Sequence, residues 1–282
     1  MSMSVVLELV NSYRQFYELT SDKYREYIDA DIAENARVCH ADKLLNDYII
    51  KTVKTVWPNV LIVSEESEIT NNIGYSHVCI IDPIDGTNNY HDGSKHWGIS
   101  VAVYRRQPNY LTHDMIWVYY ESMIIFPDLV VGLVRHDGPL THINQSTDLA
   151  VNNKITVSRP YQTIFLSESV GSDMAYYMFV EDSGLRAQDL GLSNTGLRIC
   201  RLRCSTLAVY NLIMGIRGVY LSTKAYVWDI AASLPIAVKY GCKVIIKLND
   251  GDDTLRLSDD WVPYNDQMLD WTKTYSVLVI SV

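Results

Sequence analysis

Apolar residues recur along the chain with two different spacings. The opening stretch and the segment 42–56 repeat them every three to four residues, which predicts two amphipathic helices. Short apolar runs bounded by polar or turn residues follow and predict strands, mostly antiparallel because several connections are too short for a crossover helix. These runs are 60–63, 78–81, 99–104, 115–120, 123–126 and 129–134.

The pattern changes at about residue 158, after which strand-like and helix-like segments alternate. Such alternation is typical of α/β proteins, so we predict an α+β half followed by an α/β half. The predicted lobes are 1–155 and 156–282, packed against each other with a site between them. Within the second lobe, strands are predicted at 163–166, 219–221 and 244–246, and helices at 172–180, 205–214 and 228–240.

The composition and charge of the chain argue against several classes of function. The chain has 282 residues, 48% of them hydrophobic and 20% charged, as in an ordinary globular protein. A net charge of −9 argues against binding to a nucleic-acid polymer, which requires a basic face. The five scattered cysteines form no Cys-x-x-Cys pair, so we expect a cytoplasmic protein without disulfides. No apolar run approaches the roughly 20 residues that a membrane helix needs, so we expect no membrane partner.

One segment carries most of the candidate chemistry. A wholly apolar run ends at Asp82, a proline follows, and a second carboxylate, Asp85, comes three residues later, before a glycine that allows a tight turn. Two carboxylates this close repel each other unless a cation lies between them, and oxygen ligands favour Mg²⁺, Mn²⁺ or Ca²⁺. The alternative is a turn that two aspartates cap, but the apolar strand before Asp82 indicates a buried position.

Two other carboxylates stand at comparable positions. Glu65 follows the predicted strand 60–63, and Asp229 begins a helix of small residues. Taken alone, Asp229 is more typical of a helix N-cap than of a metal ligand.

Four motifs in order resemble the inositol monophosphatase superfamily of metal-dependent, lithium-sensitive phosphatases. The run Asp82 to Thr87 matches D-P-[IL]-D-G-[ST] completely, and Ala41-Asp42, Glu65-Glu66 and the W-D-x-A-A run 228–232 accompany it. The resemblance spans about 30–245. It implies the layered αβαβα sugar-phosphatase fold, two or three Mg²⁺ ions, a small phosphorylated substrate and a homodimer.

The resemblance also implies a set of metal ligands. Glu65, Asp82 and the carbonyl of Ile84 resemble the ligands of a first ion, and Asp82, Asp85 and Asp229 those of a second. A third, weakly held ion is implied near Glu65. Two such ions stabilise the attacking and the leaving oxygen of an in-line displacement.

Catalytic and substrate roles follow from the same resemblance. Thr87 resembles the residue that orients the attacking water, and Asp42 the acid that accepts a hydrogen bond from that threonine; with Glu65 they are the expected catalytic residues. The amides of Gly86 and Thr87 are expected to hold phosphate oxygens. The substrate-binding residues implied are Asp85, Gly86, Thr87, Ser205, Thr206 and Asp229.

The chain departs from the family where the substrate is expected. Cys204 precedes Ser205 and Thr206 in place of a glycine, and Ser222 stands at the ungapped position of a glutamate that binds inositol hydroxyls. The substrate therefore stays open between an inositol phosphate, another sugar phosphate and a 3′,5′-bisphosphate nucleotide. A phosphatase-like binding protein without turnover is the alternative function. Three arginines near the substrate helix suit either a second phosphate or a solvated strand face: Arg198, Arg201 and Arg203.

Overall fold

A computed structural model describes residues 4–28, 38–67, 74–109, 115–127, 129–134, 138, 140–144, 149–150, 162–166, 197–249, 261–265, 267 and 269–281. The chain divides into two compact units, an N-terminal unit, Met1–Asn152, and a C-terminal unit, Asn153–Val282. The two units are described separately below. Within the described residues, no helix combines the length and the apolar character needed to cross a bilayer.

The N-terminal unit combines four helices with two sheets in its described part. The helices are α1 (Val5–Asn11), α2 (Tyr13–Leu19), α3 (His40–Val56) and α4 (Thr87–His91), with a 3₁₀ turn at Asp22–Tyr24. The strands are β1 (Tyr27–Ile28), β2 (Val38–Cys39), β3 (Val60–Ser64), β4 (His77–Asp85), β5 (Gly98–Pro108), β6 (Met115–Phe126), β7 (Leu129–Val134), β8 (Leu140–Asn144) and β9 (Leu149–Ala150).

The larger sheet of this unit follows the chain order from β3 to β9. Strand β3 is parallel to β4, and every later neighbour pair is antiparallel. Helices α1, α2 and α3 bury their apolar faces against this sheet, because their apolar residues recur at helical spacing. The resulting core includes Leu9, Phe16, Leu45, Ile49, Val53, Ile81, Ile99 and Met123.

The C-terminal unit contains a second mixed sheet. Its described helices are α5 (Ser205–Ile213), α6 (Val227–Ile230) and α7 (Ser233–Lys239). Its described strands are β10 (Gln162–Leu166), β11 (Leu197–Cys200), β12 (Gly218–Tyr226), β13 (Lys243–Leu248), β14 (Val262–Pro263) and β15 (Thr274–Ser281), in the sheet order β11-β10-β12-β15-β13-β14. Strand β10 pairs in parallel with β11 and β12, whereas β15 is antiparallel to β12 and β13.

Most predicted elements are present, and the differences have local causes. The helix predicted at 228–240 is divided into α6 and α7, because Pro235 lacks an N–H and its ring crowds the carbonyl of Ala231 four residues earlier. The runs 115–120 and 123–126 form the single strand β6, whose ladder with β5 is irregular at Tyr104. Strand β15 was not predicted, and the helix predicted at 172–180 lies outside the described residues.

Candidate functional site

The carboxyl ends of two parallel strands bring Glu65 beside Asp82. The register pairs Ser64 of β3 with Ile81 of β4, and the backbone N–H of Glu65 donates to the carbonyl of Ile81 at 3.3 Å. Residues that follow parallel strands meet at the same sheet edge. The two acidic motifs, 17 positions apart in the sequence, therefore converge on one point of the N-terminal unit.

The D-P-I-D segment is an irregular part of β4, and not the turn capped by two aspartates that was the alternative. Asp82 pairs with Ser100 and Asp85 with Gly98, and the register shifts between these two pairs. Proline cannot donate to a sheet ladder, so the strand accommodates Pro83 at this irregularity. Asp82 and Asp85 are both buried, 1% and 6% exposed, although each carries an acid group.

Gly86 turns the chain from β4 into α4. Its φ of 94° and ψ of 41° lie in the left-handed region, which disfavours residues with a Cβ. Its carbonyl accepts from the N–H of Tyr90, and Thr87 begins the helix. The hydroxyl of Thr87 donates to the carbonyl of Ile84 at 3.0 Å, so this carbonyl already has a partner.

The carboxyl groups of Glu65 and Asp82 are hydrogen-bonded to each other, and this contact lowers the pKa of Glu65. Two opposing effects are larger: desolvation first, and then repulsion from Asp42, Glu66 and Asp85, together raise that pKa to about 8. A bound cation would relieve the repulsion among these carboxylates. Two carboxyl groups in contact hold either a shared proton or a cation between them.

Asp42 lies at the start of α3 and is 1% exposed. Its carboxylate accepts a hydrogen bond from the backbone N–H of Cys39 at 2.9 Å, as in a capping box. Burial and then the charge of Glu66 raise the pKa of Asp42 well above its usual range, while the Cys39 bond lowers it. The expected bond from Thr87 to Asp42 is absent between these two described residues, because Thr87 donates to Ile84.

The donor set of the N-terminal unit fits a hard divalent cation. It consists of the carboxylates of Glu65, Asp82 and Asp85, the buried Asp42, and Glu66, whose pKa is raised first by burial. No three histidine, cysteine, aspartate or glutamate side chains of the described residues are arranged as a ready-made metal centre. Sequence reasoning gave no role to Glu66, whose only signal is its place beside Glu65.

The C-terminal unit supplies Asp229 in a different position from the N-cap suggested by its sequence. The N-cap of α6 is Tyr226, and Asp229 is the third helical residue, whose carboxylate accepts from the N–H of Tyr226 at 2.8 Å. Asp42 has the same relation to Cys39 in α3. Both predicted site aspartates thus double as helix-capping groups.

Helix α5 starts directly at the predicted substrate-binding pair. Cys204 is its N-cap, Ser205 accepts a hydrogen bond from the hydroxyl of Tyr220 at 2.8 Å, and Thr206 is buried. Arg203, which precedes this N-cap, is exposed and has a φ of 52°. Of the other two arginines, Arg201 is exposed and Arg198 lies on β11 opposite Thr163.

Ser222, the position that replaces a sugar-binding glutamate, is only 1% exposed and pairs with Val277 inside the sheet. Between Ser222 and Trp228, the exposed residues are Lys224 and Tyr226. The tyrosine had no role predicted from the sequence.

This arrangement defines a mixed α+β protein with a carboxylate cluster at a strand edge, and part of the chain is similar to a known family. Residues 3–110 match the sequence model of the inositol monophosphatase family. A segment of 69 residues is 35% identical to the Nus factor SuhB of Vibrio cholerae, and it spans 24% of this chain and only 26% of that relative.

Solved structures extend the likeness to the whole fold. The extragenic suppressor protein SuhB of Bartonella henselae has a TM-score of 0.66 at 15% identity, with 99% of this chain and 94% of that chain covered. An IMPase/NADP phosphatase complexed with Mg²⁺ and phosphate has a TM-score of 0.63 at 16% identity, with 97% and 89% covered. The predicted α+β fold class is therefore confirmed by structures that cover nearly the whole chain, and residues 3–110 match the sequence model of the predicted family.

Proposed function

We propose that this protein is a Mg²⁺-dependent phosphomonoesterase that acts on a small phosphorylated metabolite. The observation that carries the proposal is the convergence of Glu65 and Asp82 at the ends of the parallel strands β3 and β4, with Asp85 close enough to raise the pKa of Glu65. Such a set is costly to assemble without a cation, because each buried carboxylate loses hydration and repels the others. The family match over residues 3–110 covers all of these groups.

In this proposal Glu65, Asp82, Asp85 and the carbonyl of Ile84 hold the metal, and Asp229 is the further ligand that the family resemblance implies. Bound Mg²⁺ supplies Lewis acidity, which lowers the pKa of a coordinated water and neutralises charge on the phosphate.

The other residues act on the water and the phosphate. The backbone N–H groups of Gly86 and Thr87, at the start of α4, are the proposed donors to phosphate oxygens. Thr87 orients the attacking water by accepting a hydrogen bond from it, and Asp42 is the proposed acceptor for the Thr87 hydroxyl during turnover. Ser205 and Thr206 bind the substrate at the start of α5.

Phosphate release with and without Mg²⁺ tests the proposal. The substrates are inositol 1-phosphate, a hexose phosphate and a purine nucleoside 3′,5′-bisphosphate, and lithium is added as an inhibitor. We expect Mg²⁺-dependent release that Glu65→Gln abolishes. Asp47→Asn is the matched control, because Asp47 is an exposed carboxylate on α3, outside the site. No release from any substrate by the folded, Mg²⁺-loaded protein would overturn the proposal.

A binding role without turnover is the second candidate. A sequence relative, from Vibrio cholerae, is named a Nus factor, and this name does not describe an enzyme activity. A protein that has only this role would keep it in the Glu65→Gln variant, and this separates the two candidates.

A further inference from the structure

Strand β12 has a bulge just before Asp229. Ser222 pairs with Val277 and Ala225 with Tyr275, so β12 has one residue more than β15 between these pairs. Bulges redirect side chains, and they are common next to active sites. Here the residues that face solvent after the shift are Lys224 and Tyr226, while Ala225 between them is buried.

Buried hydrogen bonds fix this bulge in one conformation. The side-chain amide of Asn249 donates to the carbonyl of Thr223 at 2.9 Å, and the hydroxyl of Ser276 lies 3.0 Å from the same carbonyl. Asn249 and Ser276 are both buried. A buried carbonyl with two such neighbours is expensive to move, so the directions of Lys224 and Tyr226 are built into the fold.

The ring of Tyr226 stacks on the indole of Trp228. The ring centroids are 4.9 Å apart and the planes differ by 1°, yet Tyr226 remains 41% exposed. The backbone N–H of Tyr226 donates to the carboxylate of Asp229. The stack is therefore joined directly to a residue to which the family resemblance assigns metal and substrate contacts.

We propose that Tyr226, backed by Trp228, is a binding surface for the planar ring of the substrate, and that Lys224 contacts a further anionic group of the same molecule. The ligand class is a phosphorylated nucleoside. An aromatic face binds any base by stacking, and an ammonium group suits phosphate. A polyol phosphate needs hydroxyl acceptors instead, and Ser222, at the position of the family's glutamate, is buried in the sheet.

This inference rests on the proposed phosphatase function only in calling the ligand a substrate. Binding is therefore measured separately from phosphate release. Calorimetry gives the affinity of the full-length protein for adenosine 3′,5′-bisphosphate and for inositol 1-phosphate, and phosphate release gives kcat and KM. The variants are Tyr226→Ala and Tyr226→Phe. Val238→Ala is the control, because Val238 is equally exposed in the same unit but lies on α7.

We expect Tyr226→Ala to weaken nucleotide binding by about 5- to 100-fold, the range for loss of one base–aromatic stack, through KM and not kcat. Binding of inositol 1-phosphate should change less than about twofold, and Tyr226→Phe and Val238→Ala should resemble the wild type. Because Tyr226 is also the N-cap of α6, thermal unfolding is measured for each variant, and Tyr226→Leu replaces the alanine variant if that one unfolds.

The outcomes separate this inference from the proposed function. Nucleotide binding that depends on the Tyr226 ring, in a wild type that releases no phosphate, supports the binding surface and overturns the phosphatase. An active wild type in which Tyr226→Ala changes the affinities for both compounds equally, or changes neither, overturns the binding surface. Equal losses in Tyr226→Phe and Tyr226→Ala also overturn it, because the ring is then not the binding group.

Discussion

Glu65 lies beside Asp82 where the parallel strands β3 and β4 end, close enough for the Asp82 side chain to lower the pKa of Glu65 while other acidic neighbours raise it. The backbone bond from Glu65 to Ile81 fixes this proximity independently of the side chains. The pair therefore holds a proton when no cation is bound, and cation binding must displace that proton.

Replacement of Asp82 by asparagine tests the role of this pair. Asp82→Asn should abolish Mg²⁺ binding and turnover, because it removes a charge from the residue that the proposal places between two ions. The fold should persist, since the asparagine amide can donate to Glu65 and no second acid remains to repel it. Calorimetric Mg²⁺ titration, phosphate release and thermal unfolding check the three parts, and full turnover in a folded variant would contradict the two-metal proposal.

The stability of the metal-free protein should fall as the pH rises from about 4.5 to about 8. The pKa of Glu65 is raised from 4.5 to about 8 by desolvation and by its carboxylate neighbours, and that of Asp42 is raised as well. Between the unfolded and folded pKa values the folded state binds more protons, so unfolding becomes easier with increasing pH. Thermal unfolding in EDTA from pH 5 to pH 8.5 measures this.

Mg²⁺ should reverse this pH dependence, because the cation replaces the proton between Glu65 and Asp82. The same unfolding series with Mg²⁺ is the comparison. A melting temperature in EDTA that rises throughout this pH range would show that Glu65 and Asp42 do not have the raised pKa values described above.

The sequence predicts the position of a site residue only where the motif directly follows an apolar run that forms a strand. Asp82 and Glu65 follow apolar runs, so their places at strand ends were predictable, but their convergence depends on the parallel pairing of β3 and β4, which was not predicted. The capping role of Asp42 was not predictable, because a capping box depends on where the helix begins. The bulge in β12 could not be predicted for a related reason. An ungapped sequence comparison assumes regular alternation between Ser222 and Tyr226, whereas the extra residue changes which of them faces solvent. Strand β15 pairs with β12 and β13 from far along the chain, and such pairing leaves no local signal.

Asp42 and Thr87 should differ in their effects on stability and rate. Asp42→Ala should cost about 1 kcal/mol, because the N–H of Cys39 loses its acceptor at the start of α3. Thr87→Ala should lower kcat by about 10²-fold, the scale for loss of a group that positions the attacking water. Denaturant unfolding and steady-state kinetics measure the two effects.

A double-mutant cycle shows whether the two residues act together in turnover. The proposal expects Asp42→Asn with Thr87→Ala to be little slower than the slower single variant, because both act on the same water. Fully additive losses would mean that the separate bonds seen here, Thr87 to Ile84 and Asp42 to Cys39, also operate during turnover.

Glu121 should anchor the N-terminal helix. It is fully buried on β6, and its carboxylate accepts from the N–H of Val5 at 2.8 Å and from the hydroxyl of Ser4 at 2.7 Å. Glu121→Ala should cost about 2–3 kcal/mol, since the buried N–H of Val5 is left without its charged acceptor. Glu121→Gln keeps an acceptor and should cost less. Hydrogen exchange of the α1 amides reports the loss locally, and Glu8→Ala, on the exposed face of α1, is the control.

Arg203 is expected to lower the stability of the fold through its backbone conformation and to determine the preference for a substrate. Its φ of 52° lies in the left-handed region, which costs a non-glycine residue roughly 1 kcal/mol, and it directly precedes the N-cap of α5. Strain of this kind concentrates at binding sites, and an exposed guanidinium there can pair with a second anionic group of the substrate.

Arg203→Gly should therefore be at least as stable as the wild type in thermal unfolding. It should also lose the higher kcat/KM that we predict for a bisphosphate over inositol 1-phosphate, while monophosphate turnover is spared. Arg217→Gln removes an exposed cation elsewhere in the same unit and should keep the preference. If the wild type prefers inositol 1-phosphate, or if both variants lose the preference equally, the charge of Arg203 does not select the substrate.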